Sequence, residues 1–192
     1  MNIAQNNNIK VFAGDENWTD YVAECKLRVE QETDNGRNFG MTVRVSHVNK
    51  NGTNSDAYSG YYIGIWAGTK DNIIIAAAPS TSFASGPHSY PIEFGKDYTI
   101  KVVAFGDKIT LFIDGNKVCQ LSDAKYTNGM IGVRSYEQAF ASTGYKVRTV
   151  TEQDLADCGI EVYEDVTDTA KIASWACDEF DGTNPGNYTF IG

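Results

Sequence analysis

The sequence predicts an all-β protein, a two-sheet antiparallel jelly-roll sandwich with a short C-terminal appendage. Three observations predict it. Apolar and polar residues alternate with a period of two through the first three quarters of the 192 residues, the pattern of half-buried strands. The connections carry the Gly and Asp of tight turns. No segment before Thr151 combines a helical period with caps. The composition agrees: 18 Gly, 11 Tyr, 9 Phe and only 4 Pro suit a strand-rich, turn-rich domain.

Each element can be justified in order. Ile9–Ala13 opens the domain as a short strand. In Tyr21–Glu30, Tyr21, Ala23, Cys25, Leu27 and Val29 form an apolar face, while Glu24, Lys26 and Arg28 lie opposite. Met41, Val43 and Val45 alternate with Thr42, Arg44 and Ser46, and Tyr61, Ile63 and Ile65 with Tyr62, Gly64 and Trp66. His47 falls with Val45 and reads as a structural histidine. Strands follow at Ile73–Ala78, Tyr98–Phe105, Lys108–Ile113, Lys117–Leu121 and Met130–Ser135, and Tyr145–Val150 closes the set. Gly106-Asp107 and Asp114-Gly115 read as hairpin turns, Asn49–Asp56 as a polar loop, and Pro79–Pro91 as a longer Ser-rich loop. About ten strands with short turns make a sandwich or jelly roll.

This domain is assigned to residues 1–150. Residues 151–192 form an acidic tail with Glu152, Asp154, Asp157, Glu161, Glu164, Asp165 and Asp168, read as solvated surface. Within it, Glu152–Cys158 suits a helical turn or more, and Ile160–Tyr163 is strand-like. So short a segment buries too little for a core of its own.

Several function classes are excluded. Sixteen Lys and Arg against 25 Asp and Glu give a net charge of −9, the wrong sign for nucleic acid or an anionic membrane. No apolar run approaches the ~20 residues of a membrane span. Residues 1–8 lack the basic and apolar regions of a signal peptide. With only His47 and His88 and no nucleophile, zinc or phosphate-loop motif, triad, zinc and nucleotide chemistry are disfavoured. No strand carries closely spaced catalytic acids; Asp178-Glu179-Phe180-Asp181 comes nearest, in a turn-rich stretch. No cofactor is implied; structural calcium at Asp15-Glu16 or Asn49–Asp56 is compatible with the oxygen ligands there. Cys25 reads as a buried thiol. A Cys25–Cys119 bridge and a Cys158–Cys177 bridge both remain open.

The segments Asn17-Trp-Thr-Asp-Tyr-Val-Ala-Glu24, Phe39-Gly-Met-Thr-Val-Arg44, Tyr58-Ser-Gly-Tyr-Tyr-Ile-Gly-Ile65, Tyr98–Gly106, Ile109–Gly115 and Asn128-Gly-Met-Ile-Gly-Val-Arg134 occur in this order. Their order and spacing resemble the laminin-G-like, concanavalin A-like jelly rolls of bacterial glycan-processing proteins. The chain looks most like the family 66 carbohydrate-binding modules of levanases and is similar to 3-keto-disaccharide hydrolase domains. Where relatives close with a Phe-Asp-Asn strand, this chain has Gln138-Ala-Phe-Ala-Ser142. Trp175–Phe190 resembles part of a bacterial immunoglobulin-like linker.

The resemblance implies a non-catalytic module that binds a terminal sugar, a fructan such as levan being favoured. The implied setting is extracellular or cell-surface, with a covalently linked catalytic module in the parent chain, no nucleic acid and no membrane insertion. The alternatives are a carboxylate-dependent glycoside hydrolase and an adhesin or structural surface domain. It further implies a shallow pocket of polar and aromatic side chains. Alternation nominates Glu24, Arg44, Tyr62 and Trp66 opposite the core face, with an Arg44–Glu24 ion pair holding the guanidinium. Arg134 and Tyr136 lie off the Ile131/Val133 face, and the loop adds Asp56 and Tyr58. Arg and carboxylate pair with vicinal hydroxyls, and aromatic rings stack on a sugar's C–H face. Trp18 is expected to pack against the strand that follows it.

Overall fold

The structure is a computed structural model that describes residues 2–3, 8–30, 37–49, 57–66, 72–79 and 83–162. Among them are twelve strands: β1 (Asn2–Ile3), β2 (Asn8–Ala13), β3 (Tyr21–Val29), β4 (Asn38–Ser46), β5 (Ser59–Trp66), β6 (Asn72–Ala78), β7 (Phe83–Ser89), β8 (Asp97–Phe105), β9 (Lys108–Ile113), β10 (Asn116–Ser122), β11 (Met130–Tyr136) and β12 (Phe140–Arg148). One helix, α1 (Glu152–Cys158), follows. The chain divides into two compact units, residues 1–160 and 161–192.

The strands build two antiparallel six-stranded sheets, one in the order β1-β12-β3-β8-β9-β10 and the other β2-β11-β4-β5-β6-β7. The apolar face read for Tyr21–Val29 meets its counterpart on the second sheet, Phe39, Met41 and Val43 with Tyr61, Ile63 and Ile65, in one buried cluster. This is the expected two-sheet sandwich, its core made by the inward half of each alternation. Phe140 stacks on Phe39 at 5.2 Å between ring centres.

Four readings are corrected. The Ser-rich loop contains a strand, β7, at the edge of the second sheet, where Pro87 is tolerated because an edge strand does not need every N–H. The last strand begins at Phe140 rather than Tyr145. Ile160–Val162 is not a strand. His47 is exposed at φ +50 instead of packed with Val45. Cys25, Cys119 and Cys158 are free thiols. Cys177 and Trp175 lie outside the described residues.

α1 forms where the tail's sequence places a capping box, with Thr151 as N-cap bonded to the Asp154 N–H and Asp154 reaching back to Thr151. Gly159 closes it in the left-handed conformation. Its Cys158 packs with Val22, Val103 and Phe112 on the outer face of the first sheet. Asp154 is buried there, not solvated: Arg148 Nη1 and Nη2 donate to its two oxygens at 2.5 and 2.8 Å. That fork, with Thr151 adding two further hydrogen bonds, holds the Asp154 carboxyl well below the usual carboxylate range. The outer face of the first sheet is thus covered in part by the helix.

Candidate functional site

The outer face of the second sheet carries four of the eight nominated residues, Tyr62, Trp66, Arg134 and Tyr136. Register places Lys10, Arg134, Gly40, Gly64 and Ile74 in one row across five strands. The next row holds Phe12, Gly132, Thr42, Tyr62 and Ala76. Glycine therefore occupies the middle of the face, and larger side chains stand around it. The floor has no room to spare: a Cβ at Gly40 would lie 1.7 Å from the Ile63 carbonyl oxygen, and one at Gly64 would lie 2.7 Å from the Tyr62 ring.

Over this floor three side chains converge. The Arg134 guanidinium lies over the Tyr62 ring, 4.3 Å from its centre. Arg134 Nη1 donates to Asn38 Oδ1 at 2.8 Å, and the Tyr62 hydroxyl donates to the same oxygen at 2.6 Å. Exposure is 7% for Arg134, 7% for Asn38 and 4% for Tyr62. The group is locked before any ligand arrives, which is the condition for a site to bind without an ordering cost. Tyr136, opposite Asn38 in register, is exposed, and Trp66 is half-buried at the end of β5. A buried guanidinium, an amide, a phenol and two accessible rings suit a polyhydroxylated ligand.

The other nominated residues lie elsewhere. Glu24 belongs to the first sheet, on β3, and faces Arg148 at 3.6 Å. Arg44 belongs to the second sheet, so the expected Arg44–Glu24 pair does not exist. Nor does Arg44 join the outer face. Against both neighbours β4 carries one extra residue, Val45 pairing with Met130 where Thr42 pairs with Gly132, and Ser46 with Ser59 where Val43 pairs with Tyr61. This is a β-bulge at Arg44, with φ +53. The bulge turns the side chain off the outer face into the end of the sandwich, where it is fully buried. There Nη1 donates to the Tyr126 carbonyl at 3.1 Å and Nη2 to the Thr19 carbonyl at 3.2 Å, with Asp20 Oδ1 at 3.5 Å. Its backbone N–H donates to the Tyr21 hydroxyl at 2.7 Å, and burial pushes that phenol up to about 12. Arg44 is a structural anchor. Tyr58 is buried against Phe12, Val45 and Ala78. Asp56 lies outside the described residues.

Asn38 was not foreseen, although the alternation Asn38-Phe39-Gly40-Met41-Thr42 shows it on the Gly40 face once the strand is begun three residues earlier. Among the described residues no group of three or more His, Cys, Asp or Glu is placed to hold a metal ion. No described helix is long and apolar enough to cross a membrane.

The fold is shared with known structures. The carbohydrate-binding module CBM66 from Bacillus subtilis superposes with a TM-score of 0.55 at 20% identity, over 68% of this chain and 76% of that one. A Bacillus subtilis protein of unknown function with a galectin-like fold gives 0.56 at 9%, over 74% and 77%. A doubly substituted human galectin-16 gives 0.55 at 8%, over 77% and 100%. No curated protein matches the chain by sequence. The family model for the 3-keto-alpha-glucoside-1,2-lyase-like domain spans residues 3–150, which cover both sheets and the glycine-floored face, and the chain belongs to that family.

Proposed function

We propose that this domain binds carbohydrate without transforming it, and that the glycine-floored face of the second sheet is where the sugar sits. The observation that carries the reading is the Arg134–Tyr62–Asn38 group. It holds a fixed guanidinium and a phenol over the glycine floor, with Trp66 and Tyr136 at one end. Likeness of fold to a carbohydrate-binding module and to galectins supports the same chemistry. The ligand is a terminal sugar, a fructan such as levan being favoured. The domain serves a secreted or cell-surface enzyme by holding a linked catalytic module close to its polysaccharide, which raises effective concentration.

The family's name favours a second reading, a lyase acting on a 3-keto-glucoside. One experiment separates them. The protein is titrated by calorimetry with levan, inulin, a panel of other polysaccharides and a 3-keto-α-glucoside, beside Tyr62→Ala and Arg134→Ala variants, and each mixture is assayed for new reducing or unsaturated products. Saturable binding that is weakened in both variants, with no product, supports the binding module. Product formation supports the lyase. Silence across the panel in the folded protein rejects the carbohydrate reading.

A further inference from the structure

A second cleft lies outside that face. It has a volume of about 450 Å³ and runs between residues 17–21, which lead into β3, and residues 147–149 at the end of β12. It shares no lining residue with the glycine floor. Its size falls in the ~300–1,000 Å³ range of small-molecule sites.

The wall at 17–21 is an irregular segment, yet it is fixed at every step. Asp15 Oδ1 accepts from the Asn17 N–H at 2.9 Å and from its side-chain amide at 2.8 Å. The Trp18 carbonyl accepts from Gly129 N–H at 2.9 Å, and the Glu16 carbonyl from the Asn128 amide at 2.5 Å. The Thr19 carbonyl and Asp20 carboxylate are gripped by buried Arg44, and Gly106 N–H donates to Asp20 Oδ1 at 2.9 Å. Beneath Trp18 the chain carries Gly14 at φ +113, where a Cβ would lie 2.3 Å from the indole. Tyr21 meets the indole edge-on at 6.1 Å. All this fastening leaves Trp18, a large apolar ring, 37% exposed at the cleft. Its expected packing against the following strand is met by the Tyr21 contact, but that contact does not cover the ring.

We infer that this cleft is a second saccharide subsite, with the Trp18 indole as stacking platform and Asn17, Asp20 and Arg148 as hydrogen-bonding groups around it. An indole held rigid and part-exposed offers contact area at low entropic cost. Asp20 and Arg148 contribute opposite charges, and each already has an ionic partner, Arg44 and Asp154. The cleft therefore carries no surplus charge for an ion to neutralise. A neutral polyhydroxylated ligand fits, because its hydroxyls donate to the Asp20 carboxylate and accept from the Arg148 guanidinium without displacing either pair. Two subsites on one domain would engage neighbouring segments of a glycan and strengthen attachment through avidity.

The inference goes beyond the reading of the glycine-floored face and can fail separately from it. The test is a ¹H–¹⁵N NMR titration of the full chain with sucrose, maltose, cellobiose and xylobiose, each in wild type, Trp18→Ala and Trp18→Phe. Trp18→Phe keeps a ring over Gly14 and guards against simple loss of the loop. The expected result is saturable shifts at the amides of residues 17–21 and 147–149 for at least one sugar. Affinity there should fall about tenfold in Trp18→Ala and less in Trp18→Phe, while shifts at Gly40, Gly64 and Arg134 remain as in wild type. Silence at the cleft with every sugar overturns the inference whether or not the other face responds. So does a response there that both variants leave unchanged.

Discussion

Arg134 reaches the ring of Tyr62 across an intervening strand. β4 lies between their two strands, and the β4 residue opposite Arg134 is Gly40, so no side chain blocks the crossing. The guanidinium ends 4.3 Å from the ring centre, and both side chains meet at Asn38 Oδ1. A flat cation over a flat ring, pinned by one amide, is a geometry that only arginine supplies.

Arg134→Lys is therefore expected to weaken glycan binding by about tenfold or more, because an ammonium cannot lie flat on the Tyr62 ring while bonding Asn38. The thermal midpoint should fall only modestly, since Tyr62 still serves Asn38. Calorimetric titration against the polysaccharide found in the panel measures the first quantity and scanning calorimetry the second. Unchanged affinity in a folded variant would remove the sugar from this face.

The glycine floor gives a paired prediction. Gly40→Ala puts a Cβ against backbone, the Ile63 carbonyl, which cannot yield without breaking the β4–β5 ladder, so the variant should lose about 3 kcal/mol or more of stability. Gly64→Ala meets the Tyr62 ring and an Ile74 methylene, both able to shift. It should stay folded and bind less tightly because Tyr62 has moved. Urea unfolding of the two variants checks the contrast, and equal midpoints would contradict it.

Arg44→Met tests the anchor at the bulge. The Thr19 and Tyr126 carbonyls lose their guanidinium donor, and the expected loss is about 3–5 kcal/mol. A urea midpoint equal to wild type would show that Arg44 does not hold the end of the sandwich.

Acid should act on the Arg148–Asp154 fork. The folded-state carboxyl is depressed, first by the Arg148 hydrogen bonds, so its stabilisation is fully present above the unfolded Asp value of about 3.9. It is lost progressively as pH falls below that value towards the depressed one. Asp154→Asn should cost about 2 kcal/mol at neutral pH, allowing for the solvent around Arg148. The gap between variant and wild type should narrow from about pH 4 downwards. Urea unfolding across pH measures the gap, and a constant one would exclude the fork as its source.

Much of the fold was legible because alternation reports which side of a strand is wet. It does not report which sheet the strand joins. Glu24 and Arg44 come from consecutive strands and read as neighbours, yet β3 and β4 lie in opposite sheets. The bulge was illegible for a different reason: Arg44 has a positive φ without being Gly or Asn, so its sequence carries no local mark of the turn. β7 was hidden by Gly86-Pro87 and its serines, which read as a loop but are acceptable at an edge. Asn38 was missed because the strand was begun at Met41. Tyr62, Trp66, Arg134 and Tyr136 share the outer face of the second sheet, as alternation predicts, because the extra residue lies in β4 and not in their own strands.

The bulge also sets how β4 would tolerate a change in length. Val43 points into the core and Val45 out of it, as they would in an uninterrupted strand with Arg44 excised. Deleting that codon would leave the alternation in phase on both sides and close the ladder to β5 and β11 without a frameshift of faces. Its direct losses would be the anchor's hydrogen bonds and the grip on the Trp18 segment. Removing Val43 or Val45 instead would also take out the extra residue, but would put the Arg44 guanidinium on the ladder in its place, facing the core in the first case and the outer face in the second.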